Sequence, residues 1–185
     1  MTERDRGQGG PTRETTRDGS RRLAALRGVF EGASPLAIGV TAAGLVAAVL
    51  LVLTEFSVVA SVDVASGSCQ VIQDTNPELA DRCELSGFER NGGSFLLVAV
   101  LVAVMAWGAG MGASRPAAVA LVAVGVGVLA WGLLVDLPET NETGALGRNF
   151  EGATAAAGPG LTIEIVAGAL ALAAGATRLV APARE

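Results

Sequence analysis

The chain has 185 residues, 51% of them apolar, with a net charge of −5 and no His, Lys or Tyr. Without Lys there is no P-loop and no Schiff-base chemistry, and without His the commonest metal ligand and general base is missing. Hydrolysis would rest on carboxylates alone, so composition points away from an enzyme. It also points away from a cofactor and, because the basic residues lie in a mixed-charge tail, from a nucleic-acid partner.

Residues 1–19 contain one apolar side chain, Met1, among Thr, Arg, Glu, Asp, Gly, Gln and Pro. Such a segment buries too little surface to order itself. Ser20 is placed to cap a short helix in which Leu23, Leu26 and Phe30 share a face beside Arg21, Arg22 and Arg27. A helix of that kind lies on an anionic membrane surface. We read 1–34 as a disordered to amphipathic cytoplasmic tail and 35–185 as one membrane domain.

Four apolar runs follow, at 36–53, 95–111, 116–135 and 161–180. Each approaches the ~20 residues that an α-helix needs to cross hydrocarbon. Val, Ala, Leu and Gly occupy every face, as suits lipid rather than water. Hydrocarbon leaves no backbone group unpaired, so these runs must be helical despite their many Val residues. The expected fold is an all-α, four-helix transmembrane bundle with spans at about 36–56, 94–112, 116–135 and 161–180. Extracytoplasmic loops are expected at about 57–93 and 136–160. The first run is too long for the ~7–15-residue core of a cleaved signal, so the first span is expected to stay.

Every basic residue is Arg. Arg4, Arg6, Arg13, Arg17, Arg21, Arg22, Arg27, Arg115, Arg178 and Arg184 fall on one side of the spans, and Arg82, Arg90 and Arg148 on the other. The positive-inside rule then sets both termini in the cytoplasm. The all-Arg, Ala/Val-rich usage suggests a GC-rich bacterial genome, and with the apolar runs the expected location is a bacterial plasma membrane. Residues 97–108 (LVAVLVAVMAWG) and 121–132 (LVAVGVGVLAWG) agree at nine of twelve positions, which Val/Ala low complexity accounts for.

The first outer loop holds the only cysteines, Cys69 and Cys83. Outside the cytoplasm the expectation is a disulfide. It would close a 15-residue loop and stabilise the fold by about 3 kcal/mol on a chain-entropy account. A membrane thiol oxidoreductase is a weaker reading, because there is no Cys-x-x-Cys pair and no second pair to relay electrons. A short helix is expected at 77–82. The nearby acids lack the order and central Gly of a calcium loop, so no metal is expected. In the second loop, 153–157 is expected to form one or two helical turns, broken by Gly158-Pro159-Gly160.

Glu164 stands about one turn inside the fourth span. Glu164, Gly168, Ala171 and Gly175 follow 4-3-4 spacing and share a face. Small residues mark close helix contact, so the carboxyl is expected to face the bundle, where a charge needs a partner. Arg148 and Arg90 are the candidate partners, and Glu55 and Asp136 the neighbouring acids of a candidate outer-mouth site. The function expected first is a non-enzymatic accessory or scaffold protein. It would act through the lipid bilayer, a membrane-protein partner or a homo-oligomer. The alternative is a small proton- or cation-coupled transporter or channel-like oligomer that uses Glu164.

Overall fold

A computed structural model describes residues 33–63, 83–143 and 152–181. The chain divides into two compact units, Met1–Ser34 and Pro35–Glu185, and the account below concerns the second. Cys69, Arg148, the tail up to residue 32 and the turn expected at 77–82 lie outside the described residues.

Helix α1 (Pro35–Glu55) leads into strand β1 (Val58–Asp63). Strand β2 (Glu84–Ser86) and the short helix α2 (Gly87–Asn91) precede α3 (Ser94–Gly110). Helix α4 (Arg115–Trp131) continues through a π-helical turn, Gly132–Asp136, and a last turn, Leu137–Glu139. Strand β3 (Thr154–Ala157) then leads into α5 (Pro159–Val180). Among the described residues, three helices are long and apolar enough to cross a membrane: Pro35–Glu55, Arg115–Glu139 and Pro159–Val180, of 21, 25 and 22 residues. Helix α3 is as apolar but has 17 residues.

The helices pack through their smallest residues. Helix α5 lies against α4 and α1, α1 lies against α3, and α3 and α4 touch each other far less. The shared core is mostly Ala, including Ala47, Ala106, Ala118, Ala167 and Ala171, with Leu51, Val102 and Leu121 between them. Helices α4 and α5 cross closely. A Cβ on Gly125 would stand 2.5 Å from the Leu172 backbone nitrogen and 2.9 Å from the Gly168 carbonyl oxygen. A Cβ on Gly175 would stand 2.8 Å from the Ala118 carbonyl oxygen. Large apolar residues point outward, among them Leu97, Val104, Val119 and Leu134. Such a belt is a liability in water and is stabilising in lipid.

One end of the bundle is closed by a tight turn. Ser114 Oγ accepts from Ala117 N–H, Pro116 takes the first turn of α4, and Ala113 adopts φ 49°. Gly108 faces Ala117 of the same hairpin, where a Cβ would stand 3.2 Å from the Ala117 Cβ. At this end Arg178 Nε donates to the Ala109 carbonyl oxygen at 3.0 Å, where a cation suits the exposed carbonyls of a helix C-terminus.

The other end carries a three-stranded antiparallel sheet in the order β2-β1-β3. The sequence predicted helical turns at 153–157, and the structure corrects this: Thr154–Ala157 pairs with Val58–Asp63, with Ala60 opposite Ala157 and Asp63 opposite Thr154. Alanine favours helix on its own, but here the edge of β1 left free by β2 supplies hydrogen bonds that an isolated turn would not. Gly158 allows the approach, since a Cβ there would meet the Val58 carbonyl. Pro159 begins α5, so Gly160 lies inside the helix rather than before it.

The two glycines of α4 give a paired test. Gly125→Leu forces the α4–α5 backbones apart and is expected to destabilise by about 1–3 kcal/mol. Gly127→Leu, whose Cβ would meet nothing within 4 Å, is expected to hold or raise stability, because glycine is a poor helix former. Thermal unfolding in detergent measures both.

Candidate functional site

The polar groups gather at the sheet end. The capping box of α2 positions the first of them. Ser86 Oγ accepts from Glu89 N–H, and Glu89 returns a carboxylate oxygen to Ser86 N–H at 3.0 Å. Those bonds from Ser86 hold the Glu89 carboxyl below the ordinary range. Their contribution is therefore present at neutral pH and is lost as pH falls through that lowered value. Gly92, at φ 59°, ends α2 just after Arg90 and Asn91.

Arg90 reaches across to the extension of α4. Its Nε donates to Asp136 Oδ1 at 2.5 Å, its Nη1 to Glu139 and its Nη2 to the Val135 carbonyl oxygen at 3.5 Å. Asp136 is fully buried, while Glu139 is half exposed. Asp136 reaches this position because the π turn adds a residue to the helical repeat. Such turns recur at functional sites.

Glu164 comes to the same place from α5. Its side chain is fully buried, and it lies beside Asp136 with the Arg90 charge close by. Gly132, the first residue of the π turn, makes room for it. A Cβ on Gly132 would stand 3.1 Å from Glu164 Oε1 and 3.3 Å from its Cδ. Neither Glu164 oxygen, nor Asp136 Oδ2, receives a donor from the described residues. Two carboxyl groups thus lie side by side, with the Arg90 guanidinium engaged on the other Asp136 oxygen. No group of three or more His, Cys, Asp or Glu suited to a metal occurs among the described residues.

Glu55 is used differently. It is fully buried at the end of α1, and its Oε1 accepts from Phe95 N–H at 2.7 Å. It therefore serves the first turn of α3, whose cap residue Gly93 has no side chain to do so. A carboxylate there meets unpaired N–H groups and the positive end of the helix dipole.

The structure thus brings together Arg90, Asp136 and Glu164 of the expected set and places Glu55 at a helix start. Arg148 lies outside the described residues. Sequence reasoning missed Glu139 as an Arg90 partner and Gly132 as the residue that clears space for Glu164. The three-residue step from Asp136 to Glu139 was a usable signal, because it sets both acids on one helical face. No protein-family model matches this chain, and no curated protein or solved structure matches it.

Arg90 has a measurable role. Removing it leaves Asp136 buried without its partner, and Arg90→Met is expected to cost about 3–5 kcal/mol. Pairing it with Asp136→Leu should recover most of that loss, because the buried Asp136 carboxylate is then removed together with its partner. Detergent unfolding of both variants decides this, and a double variant no more stable than Arg90→Met would argue against the assigned pairing.

Proposed function

We propose that this chain is a four-span, N-in/C-in protein of the bacterial plasma membrane that acts through contacts, as an accessory or scaffold subunit. In this reading α3 is the second span, lengthened by the turn after it. The sheet end faces outward as a small cap, stapled by a Cys69–Cys83 disulfide.

The observation that carries the proposal is how the polar groups are spent. Arg90 ties α2 to the extended α4, and Glu55 caps α3. Those groups hold elements in place. Catalysis requires a nucleophile, an acid or a base set against an open site, and the buried carboxyls here are enclosed. What the chain leaves outward is an apolar belt and a cap, both of them surfaces for contact.

Purification from native membranes in a gentle detergent tests this. A near-stoichiometric membrane protein is expected to accompany the chain, and a clean homo-oligomer without one would count against an accessory role. A C-terminal reporter active only outside the cytoplasm should stay silent, and activity would overturn the orientation. The disulfide is expected as a faster band on a non-reducing gel that shifts in Cys69→Ser.

A second reading has its own support. The Glu164 and Asp136 oxygens without donors would be satisfied by a shared proton or by a cation. That favours a proton- or cation-coupled role for this pair, in a homo-oligomer. In proteoliposomes, Glu164→Gln should then abolish ion or proton flux while leaving folding intact. Unchanged flux in that variant, or no flux in the wild type, returns the pair to a structural role.

A further inference from the structure

Glu164 and Asp136 meet where α5 packs on the π turn of α4. Both side chains are fully buried, and they lie within reach of a hydrogen bond between them. Asp136 Oδ1 accepts from Arg90 Nε at 2.5 Å. Asp136 Oδ2 and both Glu164 oxygens receive no donor from the described residues. An ionised carboxyl only accepts, whereas a protonated one also donates. The pair as it stands lacks one donor, and a single proton supplies it.

The surroundings favour a proton over a metal cation. A hard cation gathers roughly six or more oxygen ligands, and here two carboxyls lie side by side. Space is taken up as well, since a Cβ on Gly132 would stand 3.1 Å from Glu164 Oε1. A proton needs no volume of its own and no path wide enough for water, because the helices close over it as they pack. Charge points the same way. Arg90 from α2 and the half-exposed Glu139 from the last turn of α4 flank the pair. Helix α1 brings Glu55, engaged on Phe95 N–H, and β1 ends in the exposed Asp63. Helix α3 carries no charged residue. One guanidinium thus answers three carboxyls when both buried acids are ionised. Facing carboxylates repel strongly where water is excluded, and a proton between them removes that repulsion. Asp136 is already on Arg90, so Glu164 is the one to carry it.

We propose that Glu164 and Asp136 share one proton at neutral pH, carried on Glu164 and donated to Asp136 Oδ2, and that this proton latches α5 to the extension of α4. The inference rests on the Glu164–Asp136 pairing of the second reading above, names the proton rather than a cation, and requires no transport. The latch reaches further through Arg90, which ties Asp136 to α2. Losing the proton leaves two facing carboxylates without a donor and loosens the junction of α5 with the π turn.

Linkage gives the sign. Carboxyls of an unfolded chain are ionised at neutral pH, so the folded chain binds one proton more than the unfolded one. Stability then falls as pH rises, with the folding constant dropping about tenfold per pH unit until the latch proton is lost. The chain has no His, Lys or Tyr to obscure that slope.

The full chain in an ester-free detergent provides the test. Infrared difference spectra at neutral pH should show a protonated carboxyl band, and denaturant unfolding at rising pH should show the slope. Glu164→Gln gives Asp136 a permanent N–H donor, so it should fold, lose the band and flatten the slope. Asp136→Asn keeps an oxygen for Arg90 and offers Glu164 a donor, and it should do the same should Glu164→Gln fold poorly. Glu55 also keeps one oxygen without a donor, so Glu55→Gln is the control and should leave band and slope in place. No band in wild type, a band or slope retained in Glu164→Gln or Asp136→Asn, or a slope lost only in Glu55→Gln would each overturn the proposal. So would stability that follows sodium concentration rather than pH, the mark of a bound cation. Flux in proteoliposomes is read separately. A shared proton without flux refutes transport alone, whereas flux without the band refutes the shared proton alone.

Discussion

The close crossing of α4 and α5 governs this structure. Gly125, Gly168 and Gly175 let the two helices approach until even a Cβ at any of them would collide with the neighbour. Lipid tails are as apolar as Leu, so helices in a membrane gain little from merely hiding apolar surface, and close contact of this kind holds them together. The crossing also sets the rotation of α5. With Gly168 and Gly175 turned to α4, Glu164 must face the same way, and it meets α4 where the helix widens into a π turn.

That widening links packing to the polar end. A regular helix would carry the acid of Asp136 elsewhere. The added residue brings it between Arg90 and Glu164, and Gly132 leaves the volume that the Glu164 carboxyl occupies. Arg90 in turn is held by α2, whose capping box and left-handed Gly92 fix where the guanidinium starts. The sheet extends this order away from the bundle. Strand β1 grows from the end of α1 and pairs on both edges, so the segments before α3 and before α5 are anchored to the same strand. The proposed contact role and the alternative proton or cation role both depend on this end being rigid.

Helices α3 and α4 show how little sequence separates different jobs. Residues 97–108 and 121–132 differ only where Leu101, Ala103 and Met105 are replaced by Gly125, Gly127 and Leu129. Gly125 makes the crossing with α5 possible, whereas Leu101 in α3 points outward. At Gly127, by contrast, a Cβ would meet nothing within 4 Å. Both glycines read in the sequence as low complexity, since their meaning lies in what stands opposite them.

The sequence by itself determined the helices, because a long apolar run in hydrocarbon has no other way to pair its backbone. It also determined that the small-residue face of α5 carries Glu164, through simple helical spacing. Only the tertiary structure decided that Ala155–Ala157 forms a strand, since its hydrogen bonds come from a distant segment and override the preference of alanine for helix. It likewise decided that Glu55 serves a helix start while Asp136 joins Glu164. Three buried acids look alike along the chain, and what each one does depends on the donor that folding brings to it.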